Sequence, residues 1–273
     1  RAQAIPTGTA WRAPSTSACK HRVRVSRPPL ANQHTTTSAA ITPNTKWLIL
    51  NSPSNPTGAG YAEAHLRELT DVLMRHPHVW VLADDIYEHL VFDDFRFVTP
   101  AQVEPSLYDR TLTVNGVSKA YAMTGWRIGW MVVPPDLVRT MDRLAANMFI
   151  CPPHVSQVAA LAALSPEGEA EAQANLAVYA ENRRLLLDRL PAIGFDRIAP
   201  PDGAFYLYAD VSALTDDSAA LAAEILETAG VAVTPGIDFD PVRGARTLRF
   251  SYAQSTADIA EGLDRLARWM AAR

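Results

Sequence analysis

Two cysteines, Cys19 and Cys151, are too few for a disulfide framework or a thiolate metal cluster, and they suit a reducing compartment such as the cytoplasm. The seven histidines show no ligand spacing, so no metal site is expected; His76 and His78 merely flank a proline at a helix end. No apolar run approaches the roughly 20 residues that a membrane span needs, and no membrane association is expected. A net charge of −4 over 273 residues gives no global attraction to nucleic acid. What remains, 48% hydrophobic and 20% charged, is an ordinary globular composition, long enough for one large or two modest domains.

Another absence is local. Residues 1–40 contain no aspartate or glutamate, while Arg1, Arg12, Lys20, Arg22, Arg24 and Arg27 are basic and Ser, Thr, Pro and Ala fill the rest. No sustained helical or alternating period runs through them. Three readings compete: an organelle transit segment, a basic arm for polyanions, or a segment that is not natural coding sequence. In each case disorder is expected.

From residue 41 the pattern becomes regular. Lys46–Leu50 reads as a short apolar strand running into Asn51-Ser52-Pro53-Ser54-Asn55-Pro56-Thr57-Gly58, a turn in which an X-Pro bond is a candidate for a cis peptide. Ala62–His76 sets Leu66, Leu69, Val72 and Leu73 on one face of an amphipathic helix that ends at Pro77. Val79–Ala83 is a buried strand leading into Asp84-Asp85-Ile86-Tyr87. Strand, helix and strand with short links make a βαβ unit, which implies a parallel sheet with sites at the carboxyl ends of its strands.

The chemistry concentrates in Thr111–Val133, TLTVNGVSKAYAMTGWRIGWMVV. A β-branched run breaks at Asn115-Gly116, Ser118-Lys119 follows in a loop, Arg127 comes eight residues after the lysine, and a second apolar run, Ile128–Val133, reads as another core strand. A lone lysine at a loop tip is usually a solvated surface residue. Here Ser118 offers a hydroxyl and Arg127 a guanidinium fork, the donors a phosphate needs, beside an amine that becomes nucleophilic when partly desolvated.

GVSKAYAMTGWRIGW resembles the cofactor-lysine segment of the class I/II aminotransferases, fold-type-I enzymes that use pyridoxal 5'-phosphate, and is similar in particular to bacterial aspartate aminotransferase-like sequences. The resemblance extends from about Ala40 to the C-terminus. It implies an α/β fold: a three-layer large domain, with a mostly parallel sheet and helices on both faces, plus a small α+β C-terminal domain. The expected division is an atypical segment at 1–40, a partial large domain at 41–180 and a small domain at 181–273, with a long helix, about Glu167–Leu190, spanning the boundary near Ala180. Because family-like sequence starts abruptly near Ala40 and the relatives are longer on the N-terminal side, the chain is expected to be N-terminally incomplete and residues 1–40 to be non-native sequence.

The resemblance also assigns roles. Lys119 would hold pyridoxal 5'-phosphate as an aldimine and serve as the acid/base for transamination. Asn55 and Tyr87 would donate to the cofactor's ring oxygen, Asp84 would pair with its ring nitrogen, and Ser118 and Arg127 would hold its phosphate. Arg249, in T-L-R-F-S-Y-A, would clamp the substrate α-carboxylate, with Asp202-Gly203-Ala204-Phe205 as a nearby loop. Read without the resemblance, Asp84 caps a turn, Tyr87 packs as an ordinary aromatic and Arg249 faces solvent from its strand.

The expected function is ping-pong exchange between an α-amino acid, aspartate-like or broad, and a 2-oxo acid, in a homodimer. The alternatives are a lyase or decarboxylase on the same scaffold, or a truncated inactive fragment. A cofactor-sensing domain of a transcription regulator would need a helix-turn-helix upstream, and residues 1–40 show no period for one.

In the last third, strands are expected at Ala204–Ala209, Val231–Thr234 and Thr247–Tyr252, with helices at Ser218–Ala229 and from Ser255.

Overall fold

The computed structural model describes residues 22–25 and 33–273. Five strands form the first sheet in chain order: β1 (Arg22–Val25), β2 (Trp47–Asn51), β3 (Trp80–Asp84), β4 (Thr111–Gly116) and β5 (Gly129–Val132). The first four run parallel and β5 returns antiparallel to β4. Helix α1 (Gln33–Ala40) leads from β1 to β2, and α2 (Glu63–Met74) links β2 to β3. Leu66, Leu69, Val72 and Leu73 of α2 pack with Leu48 and Leu50 of β2 and Val81 of β3 in one apolar core, closed at its end by the short helix α3 (Pro100–Val103). The period-3.6 stripe of the helix thus meets the period-2 face of the strands.

Helices α4 (Pro135–Met148) and α5 (His154–Ala163) follow, then α6 (Pro166–Ile193), a single helix of 28 residues. Ser165 caps α6, accepting from the Gly168 N–H, and Gly194, at φ 109°, closes it in the left-handed region that glycine tolerates. The second sheet is antiparallel, in the order β6 (Arg197–Ile198), β7 (Tyr206–Asp210), β9 (Thr247–Ser251), β8 (Thr234–Pro235). Helices α7 (Ser218–Ala229) and α8 (Thr256–Ala271) pack with α6 around its core of Leu186, Leu190, Leu207, Ile225, Leu248, Phe250 and Leu263. The whole is an α/β fold with helices on both faces of the mixed sheet, followed by a smaller α+β unit.

Three expectations are corrected. Disorder across residues 1–40 lies outside the described residues for 1–21 and 26–32; elsewhere it is overturned, because Arg22–Val25 joins the sheet and Gln33–Ala40 is helical. Four residues are too few to display an alternation in sequence, yet enough for a ladder once β2 supplies the template. Pro191 lies inside α6, where its missing N–H costs one bond near the last turn, and the helix runs on to Ile193. The strand expected at Val231–Thr234 shrinks to Thr234–Pro235. Finally, the run after Arg127 is not a core strand here, since Trp130, Met131 and Val132 are 39%, 38% and 48% exposed on the edge of the sheet.

The two units are stitched by backbone bonds. Gly203 N–H donates to Gly58 O (2.8 Å), Ala204 N–H to Leu90 O (2.7 Å) and Phe92 N–H to Asp202 O (3.0 Å), while Asp202 Oδ2 accepts from Gly60 N–H (2.9 Å). Buried Asn182 of α6 donates to Tyr252 O and Gln254 O just past β9. Arg249, in the middle of β9, reaches Asn55 in the turn after β2.

Candidate active site

Parallel register sets the floor of the site. Asn51 and Asp84 are ladder partners at the ends of β2 and β3, and Asp84 in turn pairs with Val114 of β4. Asn51 Nδ2 donates to Asp84 O (3.1 Å) and its Oδ1 accepts from Asn55 N–H (2.8 Å), which folds the following turn back over the strand ends. Within that turn the Ser52–Pro53 and Asn55–Pro56 bonds are cis. Gly58 ends it at φ 72°, where an added Cβ would lie 2.5 Å from Tyr206 O. Only glycine fits there.

Beyond β3 the two adjacent carboxylates part company. Asp84 is half-buried, whereas Asp85 is 4% exposed. Burial, with the charges of Glu88 and Asp84 adding to it, pushes the Asp85 carboxyl up to about 7. Tyr87 is 3% exposed, its ring edge-on to Phe205 and Tyr206 and its hydroxyl 3.1 Å from the Tyr206 hydroxyl. Burial, chiefly, together with Tyr206 and the Asp84 charge, pushes the Tyr87 phenol up, while the nearby Arg249 charge opposes the shift. The phenol therefore keeps its proton and remains a donor.

Lys119 is half-buried in the turn after β4, its carbonyl accepting from the Ala122 N–H (3.2 Å). The next residue, Ala120, packs into a cluster with Tyr87, Leu90, Ala204 and Tyr206, so the lysine loop sits on the aromatic floor beside Tyr87. At the base of the loop Asn115 Nδ2 donates to Glu88 Oε1 (2.5 Å), and Glu88 lies 3.3 Å from His89, raising the imidazole. Ser118 and Arg127 meet through one residue: the Thr124 hydroxyl donates to Ser118 O (3.0 Å), and Arg127 Nη1 donates to Thr124 O (3.0 Å). Arg127 is exposed and left-handed at φ 57°.

Arg249 does not face solvent. From β9 its Nη1 donates to Asn55 Oδ1 (2.8 Å) and its Nη2 to Thr234 Oγ1 (3.1 Å), and Nε is buried with no hydrogen-bond partner among the described residues. Its guanidinium carbon stands 4.4 Å from the Tyr206 ring centre and 4.8 Å from that of Phe239. Asn55, Tyr87 and Arg249 thus converge through Tyr206, beside the Asp84 charge. Ser118 and Arg127 form a second, more open edge.

Sequence reasoning missed Tyr206, Phe239 and Thr234. One signal was available: strand alternation sets Tyr206 and Tyr208 on one face of β7, and Tyr208 is the ladder partner of Arg249, which makes Tyr206 its diagonal neighbour. Phe239 lies in a loop and carries no such signal.

Comparison with known proteins decides the family. The family described as aminotransferase class I and II matches residues 21–266. The chain belongs to the class I/II aminotransferases. The match begins well before Ala40, so the resemblance starts earlier than the motifs alone indicate, at the strand that pairs with β2. The chain is 48% identical over 239 residues to the aspartate/prephenate aminotransferase of Cereibacter sphaeroides, covering 84% of this chain and 58% of that protein. It is 44% identical over 232 residues to the valine–pyruvate aminotransferase of Mycobacterium tuberculosis, covering 85% and 59%. An aminotransferase crystal structure from Mycobacterium tuberculosis superposes with a TM-score of 0.82 at 41% identity, over 90% of this chain and 64% of that one. The chain therefore spans less than two thirds of each of these relatives. Class I/II aminotransferases use pyridoxal phosphate.

Proposed function

We propose that the protein is a pyridoxal 5'-phosphate-dependent aminotransferase acting on α-amino acids, with an aspartate-like or broad donor range and a 2-oxo acid as acceptor. The observation that carries this reading is the arrangement around Arg249: a guanidinium hydrogen-bonded to Asn55 above the same strand ends that present Asp84 and precede Lys119.

The donor set fits the cofactor's chemistry. One amine, an anionic carboxylate, an amide, a buried protonated phenol, a hydroxyl and a guanidinium would match, in turn, an aldehyde, a pyridine nitrogen, a ring oxygen held by two donors, and a phosphate. Bound there, the cofactor supplies an electrophilic carbonyl and an electron sink. Lys119 would carry it and move the proton at the substrate Cα. Asp84 would hold a proton at the ring nitrogen, Asn55 and Tyr87 would donate to the ring oxygen, and Ser118 and Arg127 would bind the phosphate. Arg249 would orient the α-carboxylate through paired hydrogen bonds, which selects α-amino acids over simple amines.

The two named relatives act on different donors by their names, so the donor is left as a class. Amino-group exchange between isotopically labelled amino acids and 2-oxo acids tests the reading; we expect exchange that disappears in Lys119→Ala. Release of carbon dioxide or elimination products without exchange would contradict it.

We further propose a cytoplasmic homodimer. Exposed, free Cys151 suits a reducing compartment. The outer faces of α4 and α5 leave Val138, Leu144, Met148, Val155, Val158 and Leu161 exposed together with Phe149 and Ile150 between them, an apolar surface suited to a second copy.

A further inference from the structure

Arg249 is fixed by more than its hydrogen bonds. Tyr206 and Phe239 both present a ring to the guanidinium, at 4.4 and 4.8 Å. A guanidinium gains electrostatically from an aromatic face and is stripped of water on the side the ring covers, while its N–H edges stay available. Here one edge donor is held by Asn55 and another by Thr234, and Nε is buried without a partner among the described residues. The unused donors lie in the plane of the group, where a carboxylate binds.

The two rings come from differently built supports. Tyr206 belongs to β7, and its hydroxyl meets that of Tyr87. Phe239 belongs to the loop between β8 and β9, and that loop is closed on itself. Phe239 and Asp240 N–H donate to Gly236 O (2.9 and 3.0 Å), and Gly244 N–H donates to Asp240 O (2.8 Å). The fully buried Ser218 hydroxyl fastens the far end, donating to Gly244 O (2.7 Å). Gly236 and Gly244 approach so closely that a Cβ on Gly244 would fall 2.2 Å from Gly236 O. A loop braced in this way holds its one aromatic side chain in place at little entropic cost on binding.

We propose that Phe239 is a positioning residue for substrate: with Tyr206 it forms an aromatic clamp that locks the Arg249 guanidinium in the orientation a carboxylate needs. This rests on the reading of Arg249 as the carboxylate site. The clamp acts on the arginine and not on the reacting atoms, so its loss weakens carboxylate recognition without removing any group from the strand ends.

The test uses the full chain labelled with ¹⁵N-arginine, with succinate as the carboxylate probe and Arg249→Lys to assign the signals. A clamped guanidinium rotates slowly about its Nε–Cζ bond and gives two resolved Nη signals, whereas a free one gives a single averaged signal. We expect resolved Arg249 Nη signals in the unsubstituted chain and a succinate-induced shift at Nε. Phe239→Met keeps bulk but loses the ring; it should average the Nη signals and weaken succinate by about tenfold. Phe239→Tyr keeps the ring and should retain both properties. A single averaged signal in the unsubstituted chain overturns the clamp, as does Phe239→Met with resolved signals and unchanged affinity. Resolved signals that average in Phe239→Met, with no succinate shift in any variant, would uphold the clamp and sink the assignment of Arg249 to carboxylate binding.

Discussion

Asp84 and Asp85 are adjacent and chemically identical, yet the fold separates their roles. Asp85 is the buried one, and with its carboxyl pushed up to about 7 it holds its proton through mildly acidic pH, whereas Asp84 is only half-buried beside the site. Its folded-state affinity for a proton exceeds the unfolded value of 3.8, so unfolding releases that proton. Stability is therefore expected to fall as pH rises from about 4 to about 7 and to stay lowered above that. Asp85→Asn removes the titration: denaturant melts should show it more stable than the parent by about 2–4 kcal/mol at pH 8, and nearly equal to it at pH 4. Equal pH slopes in the two proteins would contradict the burial account. Tyr206 is the other residue whose role depends on surroundings: its ring serves Arg249 while its hydroxyl meets Tyr87.

Elements position these side chains through a few tight contacts. The turn after β2 can lie against β7 only because residue 58 has no side chain and accepts φ 72°. Gly58→Ala should cost about 1–3 kcal/mol, read as a lowered urea midpoint. It should also weaken carboxylate binding at Arg249, because the clash is with Tyr206 O. In the second unit, Asp217 accepts from the N–H groups of Ala219 and Ala220 and so caps α7. Asp217→Ala should lower stability by about 1 kcal/mol with no change at the strand ends. The sequence made much of this legible. The apolar stripe of α2 and the short links around it point to a parallel sheet, and a parallel sheet sets Asn55, Asp84 and Lys119 just past neighbouring strands. Elements that depend on a partner for their existence or burial were not legible: the four-residue strand Arg22–Val25, the two-residue strand at Thr234, and the exposed face of Gly129–Val132. Phe239 escaped for a similar reason, since only the pairing of β8 with β9 brings its loop back to Arg249.

At the scale of the molecule, two cores meet along the backbone bonds between residues 58–60 and 202–204 and those between 90–92 and 202–204, and the candidate site lies where they meet. The outer faces of α4 and α5 and the link between them leave a run of large apolar side chains exposed, with Leu161 75% and Ile150 81% exposed. If a second copy covers them, light scattering should give a dimer, and Leu161→Glu should shift it toward monomer at equal concentration. An unchanged mass in Leu161→Glu would argue against that face.

On the proposed reading, Lys119 is the lysine that would bind pyridoxal phosphate. The direct measurement is to add the cofactor to purified protein, record the visible spectrum, reduce with borohydride and map the labelled peptide. A visible absorbance band that bleaches on reduction, with the adduct on Lys119, is the predicted result. An adduct confined to other lysines, or none at all, would contradict the account.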